Sequence, residues 1–219
     1  LSNTLDYWNQ ISDEEKQEIL QSVTSVRHKA GERVHNAVDD CVGMFLVVSG
    51  ELRTYILSDR GKEFTLFRLG SGGVCILTAS CLLKSITFDV FVDAETDCEL
   101  LLIKALTLSK LHAQNPLIEN FALKTAADKF SAVVRVMESM LFMTFERRLT
   151  TFLVAEAEKN DSAIIRLTHE QIAKYIGSAR EVVSRAIKQL EKEKVVALFR
   201  GGVKITDMEA LRFMAEKAE

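Results

Sequence analysis

The sequence predicts an α+β chain in three parts: a β-rich domain over 1–115, a long connecting helix over 116–146, and a winged helix-turn-helix over 147–219. Three observations predict this. Turn signals recur about every ten residues or slightly more between Gly31 and Gly73, the spacing of an all-β sandwich or barrel. From Leu117 to Arg147 the chain has neither glycine nor proline and repeats apolar residues at spacings of three and four. Between Thr168 and Leu190, two short amphipathic segments meet at Gly177.

The totals set bounds on function. A length of 219 residues suits one large domain or two modest ones. The net charge of −3 carries no whole-chain signal for nucleic acid, but its distribution does. Between Arg166 and Lys204 stand nine basic residues and four acidic ones, a local net charge of +5. No apolar run reaches ~18 residues and no signal peptide opens the sequence, so a cytoplasmic location away from membranes is expected. Cysteines lie at 41, 75, 81 and 98 without a CxxC pair, and reduced thiols are expected.

In chain order, Ser12 with Glu15 forms a capping box that opens a short lead helix through Leu20. From Val23 onward short strands take over. They are predicted at Met44 to Val48, Leu52 to Leu57, Phe64 to Leu69, Phe88 to Val92 and Leu100 to Ile103. A helix from Leu106 to Asn115 leads to Pro116, a residue well tolerated in a first turn. The long helix follows. Leu123, Ala126, Phe130, Val133, Met137, Met140 and Thr144 form an a/d stripe of about three heptads, a seam for a second copy in a parallel dimer.

The C-terminal part begins with a helix from Arg148 to Lys159 and a short strand at Ile164 to Leu167. Thr168 with Gln171 and Ser178 with Glu181 both read as capping boxes, one for each helix of the motif. Val195 to Phe199 and Val203 to Thr206 flank Arg200-Gly201-Gly202 as a wing, and Asp207 to Ala218 closes the chain as a helix. On the second helix Glu181, Ser184 and Arg185 fall at i, i+3 and i+4 on one face. Arg185 can pair bidentately with guanine O6 and N7, Glu181 can accept from cytosine N4, and Ser184 can reach a neighbouring base edge or phosphate. Arg180 precedes them on the same outer surface. Thr168, His169, Lys188 and Arg200 are candidates for phosphate contacts, which position a protein without reading sequence.

A family resemblance rests on these residues. The segment AGERVHNAVDDCVGMFLVVSGELRTYILSDRGKEFTLFRLGSGG resembles the cyclic-nucleotide-binding β-roll of the Crp/Fnr family of bacterial transcription regulators. Its cues are Gly31-Glu32, the Val47-Val48-Ser49-Gly50 turn and a hairpin ending near Asp59-Arg60-Gly61-Lys62. With the helix-turn-helix, it covers nearly the whole chain in the family's order. Glu181-x-x-Ser184-Arg185 resembles the Fnr-type readers, whose half-sites contain TTGA; Arg180 stands as in Crp-type readers and leaves the outer base open. The resemblance implies a homodimer on an inverted repeat of double-stranded DNA, a small-molecule effector and RNA polymerase as a partner.

The nucleotide-binding members place a Gly-Glu pair on the ribose and an Arg-Ser pair on the cyclic phosphate. Here Leu77-Thr78 and Phe88-Asp89 stand at those positions. A ring cannot pair with a phosphate, and an aspartate beside one repels it. Cyclic AMP is therefore not the expected effector. One alternative is an uncharged or aromatic molecule in a pocket of Ile76, Leu77, Phe88, Asp89, Val90 and the following helix; another is redox or metal chemistry at Cys75 and Cys81, with Cys41 or Cys98 as a further member; a third is inert packing of these thiols as small apolar residues. The first forty residues lack the cysteine cluster of the family's iron–sulfur oxygen sensors, while haem stays open. No metal ligand set is assigned. An enzyme on a cupin-like barrel would need a His-x-His pair, and none occurs; nor does a Walker loop or a GxSxG elbow. A signalling module acting through protein partners is the other class, and the helix-turn-helix argues against it.

Overall fold

The structure is a computed structural model describing residues 1–2, 4–36, 41–78 and 90–216. Cys81, Phe88 and Asp89 of the predicted effector pocket lie outside the described residues. The chain divides into two compact units, 1–62 with 66–134 and 63–65 with 135–219. No helix among the described residues is long and apolar enough to cross a membrane.

The first unit opens with α1 (Asp13–Ser22), and the predicted capping box forms: Ser12 Oγ accepts from Glu15 N while Glu15 Oε2 accepts from Ser12 N at 2.8 Å. Eight strands follow, β1 (Val23–His28), β2 (Arg33–His35), β3 (Gly43–Ser49), β4 (Leu52–Leu57), β5 (Glu63–Leu69), β6 (Val74–Cys75), β7 (Phe91–Ala94) and β8 (Cys98–Lys104). They make two four-stranded antiparallel sheets, ordered β1-β8-β3-β6 and β2-β7-β4-β5. β3 explains why its sequence is apolar without alternation. Phe45 and Val47 pack with Leu52, Val92 and Leu100 on one side, and Met44 and Leu46 pack with Ile19, Leu108 and Phe121 on the other. Both faces of that strand are buried.

On β4 the alternation sends a charge inward as well. Arg53 is 2% exposed, ion-paired with Asp93 and Glu95, and its guanidinium lies 4.0 Å from the Tyr55 ring centroid. The pairing is what makes a buried arginine tolerable.

Helix α2 (Ala105–Gln114) returns across the first sheet, and α3 (Pro116–Phe142) starts where Asn115 Oδ1 accepts from Leu117 N at 2.9 Å. With 27 residues, α3 is about 40 Å long. It ends five residues before the predicted terminus at Arg147. The cause is Thr144, whose extended backbone (ψ 160°) and side chain cap the next helix by accepting from Arg147 N at 3.3 Å. Arg148 Nη1 satisfies the Met143 carbonyl left over at the break, at 3.0 Å. Thr144 is thus a cap and not a member of the α3 stripe, which corrects that assignment.

The second unit holds α4 (Phe145–Lys159), β9 (Ile164–Ile165), α5 (His169–Ile176), α6 (Arg180–Lys192), β10 (Val196–Phe199), β11 (Gly202–Ile205) and α7 (Met208–Glu216). Its own core joins Leu149 and Leu153 of α4, Ile172 and Ile176 of α5, Val183 and Ile187 of α6, Val203 of the sheet and Leu211 of α7. Each such fully buried side chain contributes roughly 1.5–3 kcal/mol.

Candidate nucleic-acid interface and sensor cavity

The motif predicted at Thr168–Leu190 is built by local chemistry. Thr168 Oγ1 accepts from Gln171 N at 3.2 Å, and Gln171 Oε1 accepts from Thr168 N at 2.9 Å, closing a capping box on α5. Thr168 Oγ1 also donates to Gln171 Oε1 at 3.0 Å, so a phosphate reaching this hydroxyl would displace that pairing. α5 ends at Gly177 in the left-handed region (φ 64°, ψ 40°), with its N–H on Ala173 O. Ser178 N also reaches Ala173 O, at 2.9 Å. A side chain at Gly177 would cost about 1–2 kcal/mol in that conformation.

The second capping box does not form. α6 begins one residue later than the pattern implied, with Ala179 as N-cap and no side-chain cap bond. Glu181 therefore sits second in the helix, exposed and released from capping duty. Val183, Ile187 and Leu190 bury one face of α6, while Arg180, Glu181, Arg185 and Lys188 are exposed and Ser184 is half-buried. One row of side chains thus faces solvent with the reach that base edges and phosphates require.

His169, first residue of α5, is pushed below the usual imidazole range by burial and then by the positive charges of Arg180 and Lys188. The same field that disfavours its protonation would draw a phosphate, which also gains from the partial positive charge at a helix start. The wing forms as predicted in kind: β10 pairs antiparallel with β11 (Val196↔Ile205, Phe199↔Gly202), and β11 with β9 (Val203↔Ile165). Arg200 is exposed at its tip beside Gly201, whose φ is 89°.

In the first unit a cavity of about 410 Å³ is lined by Phe67, Leu77, Ala126, Ala127, Lys129, Phe130 and Val133. Among the described residues lining it, Leu77 is the one predicted for the pocket. Ile76 packs instead in the core under α1, α2 and α3, and Cys75 lies between the two sheets, fully buried. β6 lasts only two residues, so the strand alternation that would assign sides to Ile76 and Leu77 stops there. Phe67 and Lys129 were not legible as a site in the sequence, because only the fold brings a β5 residue to α3; Lys129 Nζ lies 5.3 Å from the Phe67 ring centroid.

Thr78 occupies the interior, with Oγ1 donating to Gly43 O at 2.7 Å and lying 3.2 Å from Cys75 O. Burial pushes the Cys75 thiol above its ordinary pKa, opposed only in part by hydrogen bonds from Thr78. Cys75 and Cys98 are free, whereas Cys41 is disulfide-bonded, which corrects the expectation of reduced thiols at that position. Among the described residues no cluster of His, Cys, Asp or Glu is arranged to hold a metal ion.

α3 exposes the large apolar residues Leu117, Leu123, Phe130, Met137, Leu141 and Phe142, and of these Leu123 (52%), Phe130 (70%) and Met137 (51%) stand seven residues apart. Ala126 and Val133 between them, and Met140 beyond Met137, are partly covered.

Known proteins share this arrangement. Residues 25–115 match the family model of the cyclic nucleotide-binding domain, and residues 147–214 that of the Crp-like helix-turn-helix domain. A solved structure from Eubacterium rectale, described as of the Crp/Fnr family, is 34% identical, covers 99% of this chain and 100% of its own, and superposes with a TM-score of 0.93. The protein named "Probable transcriptional regulator flp" of Lacticaseibacillus casei is 26% identical over 93% of each chain. The cAMP-activated global transcriptional regulator CRP of Haemophilus influenzae is 24% identical over 78% of each chain.

Proposed function

The chain belongs to the Crp/Fnr family of transcription regulators, and we propose that it binds an inverted DNA repeat as a homodimer under control of an effector other than a cyclic nucleotide. The observation that carries the DNA reading is α6: a buried apolar face fixes it in its domain, and Arg180, Glu181, Ser184, Arg185 and Lys188 occupy the opposite side. Glu181, Ser184 and Arg185 would read a TTGA-like half-site, while His169, Lys188, Arg200 and the α5 start hold phosphates. RNA polymerase is the further partner this role needs.

The dimer reading is supported by Leu123, Phe130 and Met137. Three large apolar side chains at heptad spacing on a helix about 40 Å long are a seam awaiting a partner helix. A two-fold axis along that seam sets the recognition helices in successive major grooves, ~34 Å apart.

The effector reading is supported by the residues that replace the nucleotide clamp. The Haemophilus relative is named for activation by cAMP. Where the family's cyclic-nucleotide binders present a ribose-binding carboxylate, this chain has Thr78, buried and hydrogen-bonded to Gly43 O. Leu77 fills the place of the adjacent glycine and lines the cavity wall.

Footprinting at moderate salt on a fragment carrying a TTGA-containing inverted repeat tests the proposal. A protected palindrome with two-fold symmetric boundaries is expected, unchanged by added cAMP. Absence of any protected palindrome would count decisively against the DNA reading, and a cAMP-dependent footprint against the effector reading.

A further inference from the structure

We propose that Arg200, at the tip of the wing, reads the width of the DNA minor groove beside each half-site and gives the protein a preference for A·T-rich flanks; this rests on the reading that α6 lies in a major groove. A phosphate contact by Arg200 would only position the protein, whereas this role selects sequence.

The wing is built as an arm on the recognition helix. Glu191, in the last turn of α6, accepts from Leu198 N of β10 at 3.0 Å. Just past the helix, Lys194 O accepts from Thr206 Oγ1 at 2.7 Å and Val195 O accepts from Thr206 N at 2.9 Å. β10 and the end of β11 are thus tied to the end of α6, and the tip moves with the helix that reads the half-site. From Val196 to Phe199 the arm runs ~13 Å. Neighbouring major and minor grooves lie half of a ~34 Å turn apart, ~17 Å, so the arm with an arginine on its end has the necessary length.

The tip is also slim. Phe199 pairs with Gly202, which leaves only Arg200 and Gly201 to make the turn. Gly201 takes φ 89° at the second corner, so Arg200 is the one side chain of the turn. A Cβ at Gly202 would run into the Ile165 carbonyl and the Phe199 ring, and the position after the turn is bare by the same necessity. One exposed guanidinium therefore stands on a two-residue turn followed by two glycines. A minor groove ~6 Å wide admits such a tip, although it excludes a helix. Runs of A·T pairs narrow that groove and deepen its negative potential, which draws an inserted arginine. Arginine suits this better than lysine, because a guanidinium is more weakly hydrated than an ammonium.

Fluorescence anisotropy on duplexes that share one TTGA inverted repeat, and differ only in the pairs flanking each half-site, tests this. The flanks are A·T, G·C or inosine–cytosine pairs; inosine lacks the minor-groove amino group of guanine and keeps its major-groove edge. The wild type should bind the A·T-flanked duplex at least about five-fold tighter than the G·C-flanked one, the lower end of what a single base pair is worth. The inosine duplex should side with A·T. Arg200→Ala should level the series. Arg200→Lys keeps the charge, so it should retain the salt dependence and lose most of the flank preference.

Equal wild-type affinity for all flanks overturns the proposal. So does a flank preference that survives in Arg200→Ala, since bending of the DNA elsewhere would then be its source. Uniform weakening of every duplex by Arg200→Ala overturns it too, leaving Arg200 a phosphate contact, and an inosine duplex that behaves like G·C removes the minor groove from the account. Binding to the TTGA repeat without a flank preference sinks this proposal alone; no binding to any duplex sinks the DNA reading beneath it.

Discussion

Replacing Arg185 with alanine removes one guanidinium from the exposed face of α6, four residues after Glu181. The side chain is exposed, so its removal opens no cavity and folding stability should stay within about 0.5 kcal/mol. Its contribution to recognition is larger. A bidentate arginine–guanine pairing discriminates by about 1–3 kcal/mol. Because a homodimer presents Arg185 twice, a symmetric operator should lose about 2–6 kcal/mol of specific binding, and an operator with one altered half-site only half of that.

Fluorescence anisotropy on three duplexes (symmetric, singly altered and doubly altered at the guanine) reads this directly. The wild type should lose affinity in two equal steps across the series, and the variant should bind all three alike. Lys188→Ala supplies the contrast. Taking one phosphate-binding ammonium from each protomer should weaken every duplex uniformly and flatten the slope of log K against log salt by about 1.8, two phosphates at ~0.9 each. If Arg185→Ala preserves the base preference, α6 does not read DNA through this face and the assignment of Glu181 and Ser184 falls with it.

His169 should link DNA binding to pH. Its pKa is depressed in the free protein by burial and by Arg180 and Lys188, and a bound phosphate raises it again, so binding takes up a proton. Affinity measured by anisotropy should therefore increase as pH falls through the imidazole range, and His169→Gln should remove that dependence. The same depression acts oppositely on folding: the folded state resists protonation, so stability declines as pH falls below the ordinary imidazole pKa, and thermal melts of His169→Gln should lack that decline. Met137→Glu on the exposed heptad stripe should shift sedimentation toward monomer and abolish the footprint while the melts of the two units persist. Lys194 carries φ 63° at the end of α6 without being glycine; Lys194→Gly should stabilise the C-terminal unit by about 0.5–1 kcal/mol in denaturant titrations.

How much of the fold is legible in the sequence depends on how local the information is. The Thr168 box, the left-handed Gly177 and the buried row Val183, Ile187 and Leu190 are decided within a few residues of themselves. They stand in the sequence almost as they stand in the fold. Ser178-x-x-Glu181 failed because the pattern is necessary for a capping box and not sufficient: the chain leaves Gly177 extended through Ala179, and the helix starts after it. Thr144 misleads in the same way. It fits the heptad spacing, but threonine also caps, and the cap won. Strand partners were out of reach, since β1 pairs with β8 and β2 with β7 across most of the domain. The cavity wall was invisible for the same reason, as Phe67 and Lys129 meet only once those sheets and α3 are assembled.

Burial weighs against Cys75 as a redox sensor and leaves no carboxylate at Thr78. A redox sensor works through its thiolate, which needs exposure and a lowered pKa. Cys75 is fully buried between the sheets and burial pushes its thiol up, so it behaves as a small apolar residue of the core. A nucleotide sensor needs a carboxylate at the ribose, and Thr78 spends its hydroxyl inside the protein instead. What the described residues do offer a ligand is volume and a hydrocarbon wall beside α3. The exposed apolar residues Leu123, Phe130 and Met137, which the proposed dimer would cover, lie on that same helix. A molecule entering the cavity therefore changes the surroundings of Phe130 whatever else it does. The energy available for signalling is the difference in that side chain's packing with and without ligand, since a ligand shifts an equilibrium only by its differential affinity for the two states.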